Sequence, residues 1–180
     1  EWGVPQTGSK ALFEKIILEG FQSGLSWLTI LRKRENFRSA FHAFEPARIA
    51  RYGQKDIARL MANAGIVRNR LKIEAAIANA KAYEVLARRE PFAAFVWSFV
   101  DGRPIINTPA TPADVPAQTE LSKRLSKALK KEGFRFVGPT TMYAFMQSVG
   151  MINDHLAACH RHAPCATLQR AMMDRPPKFE

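Results

Sequence analysis

Apolar residues recur at intervals of three and four along most of the chain, the spacing of helix faces packed on a core. Leu12, Phe13, Ile16, Ile17, Gly20 and Phe21 form the first stripe, with Ser9 placed to cap the helix that carries it. Phe37, Phe41 and Phe44 form a second stripe of core type, broken by Glu45-Pro46. A short helix is predicted from Asp56, with Ile57, Leu60 and Met61 on one face, and an alanine-rich helix follows Gly65 and runs to Tyr83. Arg88-Arg89-Glu90-Pro91 ends it, and Phe92, Phe95, Val96, Trp97 and Phe99 make a compact core segment. Residues 101–118, rich in Pro and Thr, predict a long loop. Thr119 caps a predicted helix over 120–132, Gly133 stops it, and a further helix runs from Thr140 to Val149. The pattern predicts one helical domain over residues 1–167 and a poorly ordered tail over 168–180.

One stretch departs from plain amphipathic patterning. Residues 18–27 place Glu19, Gly20, Gly24 and Trp27 between two apolar segments. On the helical wheel Glu19 falls at the margin of the first stripe, beside Leu12 and Ile16, where a carboxylate is half buried. Taken alone it is a surface glutamate. Beside glycines that admit a close-approaching backbone or ligand, and a tryptophan face, it becomes the candidate wall of a pocket for a flat polar guest.

Charge narrows the guest. The 180 residues carry 27 Lys and Arg against 16 Asp and Glu, a net charge of +11, which favours a polyanionic partner, nucleic acid first and an anionic membrane surface second. No apolar run reaches the length of a membrane span, no signal peptide is present, and a cytoplasmic monomer is expected. Asn63 to Ile73, centred on Gly65, reads as the turn of a helix-hairpin-helix over 56–83. Its backbone N–H groups would bind a DNA phosphate at Gly65 and Val67, with Arg68, Arg70 and Lys72 adding positive charge; an ordinary helical hairpin is the alternative. The lysines and arginine of 123–131 read as a solvated face, part of which is open to DNA.

Residues 153–165 hold His155, Cys159, His160, His162 and Cys165. His155 and Cys159 are four apart, so a helical turn would aim both at one Zn²⁺; two ligands leave the site open, and an apolar-face His with an inert Cys is the alternative. The chain starts abruptly at Glu1-Trp2 without an initiator Met. No phosphate-cradling glycine loop, no GxSxG and no HExxH is present.

Together these stretches resemble the bacterial 3-methyladenine DNA glycosylase I family. The likeness runs through Glu1-Trp2-Gly3-Val4-Pro5, Leu18-Glu19-Gly20, Gly24-Leu25-Ser26-Trp27, Lys33-Arg34-Glu35-Asn36, Ala64-Gly65-Ile66, Phe95-Val96-Trp97-Ser98-Phe99, Leu125-Ser126-Lys127-Ala128-Leu129, Phe136-Val137-Gly138 and Asn153-Asp154-His155. It implies an all-α, helix-hairpin-helix DNA glycosylase fold with a zinc-stapled terminal region. It further implies that Glu19 contacts the excised base as the candidate catalytic residue, that Trp27 lines the pocket, and that Gly24 and Leu25 lie at the lesion. His155 and Cys159 would be zinc ligands, with two more expected upstream of Glu1. The implied partners are alkylated double-stranded DNA and the 3-methyladenine base, and the implied reaction is hydrolysis of the N-glycosidic bond to leave an abasic site. Recognition is the role assigned to Glu19, since no second carboxylate lies nearby in sequence to share acid and base work. No lysine stands at an obvious nucleophile position, so base release without strand cleavage is expected. A non-catalytic helix-hairpin-helix module that binds DNA or senses lesions is the competing reading.

Overall fold

The computed structural model describes residues 1–179. Its frame is helical: α1 (Ser9–Gln22), α2 (Trp27–Ala40), α3 (Pro46–Ile49), α4 (Gln54–Ala62), α5 (Arg70–Leu86), α6 (Phe92–Trp97), α7 (Glu120–Lys131), α8 (Pro139–Ser148) and α9 (His162–Asp174). α1 is the axis. It packs against α2, α5, α6 and α8, and its second half is buried all round, so Ile17, Leu18, Glu19 and Gly20 are enclosed together with the stripe residues. Each large side chain so enclosed contributes about 1.5–3 kcal/mol of burial. Phe21, Phe37, Phe41 and Phe44 form a contiguous ring cluster beside it.

Ser9 is the first helical residue and Gly8 takes the cap position; the Ser9 hydroxyl instead accepts the N–H of Ala93, tying the start of α1 to the start of α6. A side-chain cap does form at α2, where Ser26 Oγ accepts the N–H of Thr29 and sets Trp27 at the first helical position.

Two expectations are corrected. The long loop joins a two-residue parallel pair, β1 (Ile105–Ile106) and β2 (Ile152–Asn153), with Ile105 opposite Ile152, which adds a small sheet to the helical fold. The segment after Thr167 continues α9 to Asp174, because Cys165, Gln169 and Met172 share one buried face and Gln169 donates to the Gly150 carbonyl at 2.9 Å. Phe179 then stacks on Trp97. No helix among the described residues is long and apolar enough to cross a membrane.

Candidate functional site

α1 delivers Glu19 into the protein with 1% of its surface exposed, well beyond the half burial expected at the stripe margin. Its Oε1 has no hydrogen-bond partner among the described residues. Burial pushes its carboxyl up to about 7; the charge of Lys15 and the Ser148 hydroxyl pull in the other direction. A buried acceptor left without a donor costs about 1–3 kcal/mol.

Lys15 and Ser148 also line a cavity of about 140 Å³ with Leu18, Trp27, Arg34 and Arg38, room for several waters. Trp27 stands at its edge because Ser26 caps α2, and the Trp2 ring meets it edge to face at 5.9 Å. Trp2 is held from behind: its carbonyl faces His155 Nε2 at 3.1 Å and accepts from Cys165 Sγ at 3.5 Å. Lys15 Nζ lies 4.6 Å from the Trp27 ring centre, 5.7 Å from that of Trp2 and 3.9 Å from Glu1 Oε1. Burial lowers the pKa of Lys15, against the raising charges of Glu19 and Glu1. Two aromatic rings and a carboxylate with one unpartnered oxygen make a site for a flat cation.

The roles of Lys15 and Trp2 were missed in the sequence. The spacing of Lys15 four residues before Glu19, on one helix face, was the available signal for the first. Nothing local marks Trp2, whose ring reaches Trp27 only through tertiary packing.

Gly24 and Leu25 occupy the exposed turn between α1 and α2. Gly24 sits at φ +78°, where a side chain would be strained. Gln22 Nε2 closes the turn on the Leu25 carbonyl at 2.7 Å and leaves the Leu25 side chain 39% exposed.

The turn between α4 and α5 carries Gly65, Val67 and Arg68. A Cβ at Gly65 would lie 2.9 Å from Asn63 Oδ1 and 3.1 Å from Asn36 Cγ, so glycine is needed for α2 to pack here; Lys33 Nζ donates to the neighbouring Ala64 carbonyl at 2.9 Å. The Gly65 N–H is taken by Asn63 Oδ1, a correction to its expected phosphate role, whereas those of Val67 and Arg68 carry no bond among the described residues. The Arg68 side chain is exposed. Lys72 is the second correction. It is turned inward, 9% exposed, and its Nζ donates to the carbonyls of Phe21 at 2.8 Å and Ser23 at 2.6 Å. The end of α1 leaves carbonyls without helical partners, and a cation there satisfies them and complements the helix dipole.

His155 and Cys159 lie in a run of turns rather than on a helix, and still meet, with Cys159 Sγ 3.7 Å from His155 Nδ1. No cluster of three or more possible metal-ligating His, Cys, Asp or Glu residues occurs among the described residues. Asp154 beside them is structural: it accepts from Tyr143, Gln147 and Asn107 and fastens α8 to the loop after β1.

Residues 1–162 match the family model described as methyladenine glycosylase. The chain belongs to the methyladenine glycosylase family. DNA-3-methyladenine glycosylase 1 of Escherichia coli (strain K12) is 52% identical over 160 residues, covering 88% of this chain and 86% of that protein. A crystal structure of 3-methyladenine DNA glycosylase I superposes with a TM-score of 0.88 at 53% identity and 90% coverage of both chains. A variant of 3-methyladenine DNA glycosylase I in complex with 3-methyladenine is similar at a TM-score of 0.85 and 39% identity, covering 89% of this chain and 87% of that one. This family member therefore shares the helical glycosylase fold over nearly its whole length.

Proposed function

We infer that the protein is a DNA glycosylase that flips N3-methyladenine out of alkylated duplex DNA and hydrolyses its N-glycosidic bond, leaving an abasic site. The observation that carries this is the buried, partnerless Oε1 of Glu19 behind a cavity edged by Trp27. A plain phosphate binder has no use for either. A relative carrying the same fold is seen in complex with 3-methyladenine.

The lesion is cationic, so its ring is already a good leaving group. Flipping costs a few kcal/mol, which pocket contacts offset. Trp27 stacks on the cation, and Glu19 accepts from the exocyclic amine while opposing the ring charge. When the glycosidic bond breaks, its electron pair goes to the base, which leaves neutral; water adds to the sugar carbon and loses a proton. The charge that Glu19 and Trp27 recognise is therefore the one the reaction removes, which assigns them to selecting the lesion rather than to activating water. Lys15 Nζ lies over the Trp27 ring and beside Glu1 Oε1, and base release without strand cleavage is the expected outcome.

DNA would lie across Gly24, Leu25 and the α4–α5 turn, which we assign as the helix-hairpin-helix. The free N–H groups of Val67 and Arg68 and the Arg68 side chain would hold phosphate, and Leu25 would fill the gap left by the flipped base.

For zinc, the donors fit. With His155 Nε2–H directed to the Trp2 carbonyl, Nδ1 keeps its lone pair on the side of Cys159 Sγ, the tautomer a metal ligand needs. Such an ion would be a structural staple under Trp2.

The test is release of free 3-methyladenine from methylated duplex DNA by the full chain, with Glu19→Gln alongside. Release that falls at least tenfold in the variant, at retained nonspecific DNA affinity, supports the assignment. No release from folded, DNA-binding protein would leave a lesion-sensing module.

A further inference from the structure

The cation site of the pocket is already filled from within. Lys15 Nζ occupies the Trp27 face at 4.6 Å, the position a stacked cationic ring must take. Its side chain is only 14% exposed. The other charges around it are engaged elsewhere: Arg34 binds Glu1, and Arg38 binds Glu14 at 2.8 Å and Glu35 at 2.7 Å. Among the described residues Glu19, one helical turn on from Lys15, makes no ion pair. Lys15, which also lies 3.9 Å from Glu1 Oε1, is the cation whose charge acts on Glu19, from the same face of α1.

We propose that Lys15 is a resident cation which holds the base site of the free protein and selects its ligand, a cationic base being bound only as Lys15 yields the Trp27 face and the charge of Glu19 to it. This rests on the glycosylase reading and adds a specificity residue to it. Two cations on one aromatic face would repel each other, so the ring and the ammonium compete for it. A positive ring can replace the ammonium charge for charge, so Glu19 stays neutralised. A neutral adenine offers no charge in exchange. It must either leave Lys15 in place, giving up the stacking face, or evict it and strand a buried carboxylate. The exchange therefore favours the methylated base over the undamaged one, independently of hydrogen bonds to the ring edge.

In the empty pocket Lys15 also opposes the protonation of Glu19. Burial raises the Glu19 carboxyl, Lys15 is the charge that holds it down, and the Ser148 hydroxyl assists. Glu1, Glu14 and Arg34 act on Lys15 itself. Removing the lysine would free the aromatic face and move the Glu19 carboxyl further up, effects of opposite sign on cation binding.

The experiment is calorimetric binding of N-methylquinolinium, a permanently cationic bicyclic ring, and of quinoline, its neutral counterpart, to the full chain and to Lys15→Met and Lys15→Arg. At pH 8.5, above the Glu19 range, Lys15→Met is expected to bind the cation about tenfold tighter than the parent, the loss of one competing cation–π contact, with quinoline unchanged. At pH 6 Glu19 is protonated in the parent as well as in the variant, so both bind the cation more weakly than at pH 8.5 while the gain from removing Lys15 remains. Lys15→Arg restores the charge and the weaker binding of the parent. Equal gains for both rings would reduce Lys15 to a steric plug, cation binding that does not weaken from pH 8.5 to pH 6 would separate the site from Glu19, and no binding to any of the three proteins would remove the cation site; each overturns the proposal. Because no excision is read, a protein that passes this test and releases no base fails the functional reading alone.

Discussion

Asn79 and Arg135 are clamped by two hydrogen bonds: Asn79 Nδ2 donates to the Arg135 carbonyl at 3.1 Å, and Asn79 Oδ1 accepts from the Arg135 N–H at 2.7 Å. The clamp fixes the chain beside Phe136, which sits at φ +55°, 39% exposed, with its Cβ 3.4 Å from where a Cβ on Gly20 would be. A left-handed aromatic residue is strained by about 1–2 kcal/mol, and the clamp offsets it. Asn79→Ala is expected to destabilise the protein by about 1–2 kcal/mol in urea unfolding, the loss of two bonds to backbone that water can partly replace. An unchanged midpoint would show that Phe136 is held by other means.

Glu19 makes stability depend on pH in an unusual sense. Its carboxyl, raised from 4.5 to about 7 by burial, binds its proton more tightly in the folded chain. The favourable contribution is complete below pH 4.5 and is lost as pH rises through 7, by on the order of 3 kcal/mol in total. Glu19→Gln cannot ionise, so its melting temperature relative to the parent should rise between pH 5 and pH 8 while base release falls. A difference in melting temperature that stays constant over that range would mean that Glu19 is not buried as a titrating acid.

Lys72 and Arg68 are four residues apart and have opposite fates. Lys72→Met should destabilise by about 2–3 kcal/mol by stripping a charged donor from the Phe21 and Ser23 carbonyls, and should leave the salt dependence of DNA binding as it is. Arg68→Ala should leave stability within about 0.5 kcal/mol and reduce the slope of log affinity against log salt by about 1. A reduced slope for Lys72→Met would return that residue to the DNA face.

For zinc, metal analysis of the full chain should find about one equivalent, and Cys159→Ser should lower it. Chelation should lower the melting temperature, because the staple lies under Trp2, and base release should fall with it. Metal-free protein of unaltered stability would leave His155 as a hydrogen-bonded prop for the Trp2 carbonyl.

α4, α5, α7 and α8 were legible because their apolar stripes are regular, and α7 is marked locally at both ends by Thr119 and Gly133. α9 was not. Its buried face is spread among Cys165, Gln169 and Met172, and glutamine reads as surface until the Gly150 carbonyl is brought to it. Glu19 was legible through its neighbours, yet its depth was not, since burial on all sides of α1 comes from helices far along the chain. Lys72 shows the converse. Positive charge after a glycine turn reads as a phosphate contact, and only the folded chain reveals that the end of α1 is what it serves.

α2 starts with the pocket tryptophan and, through Lys33 and Asn36, braces the turn that carries Val67 and Arg68. At about 1.5 Å per residue, Trp27 stands roughly 9–14 Å along one rigid rod from those braces. The rod works as a ruler. The span between a gripped backbone and the place where a swung-out base is read is set by a count of helical residues, and a single insertion between Trp27 and Lys33 would lengthen it by about 1.5 Å and turn its far end by about 100°. Such an insertion would leave each grip intact and make them unable to hold the same nucleotide.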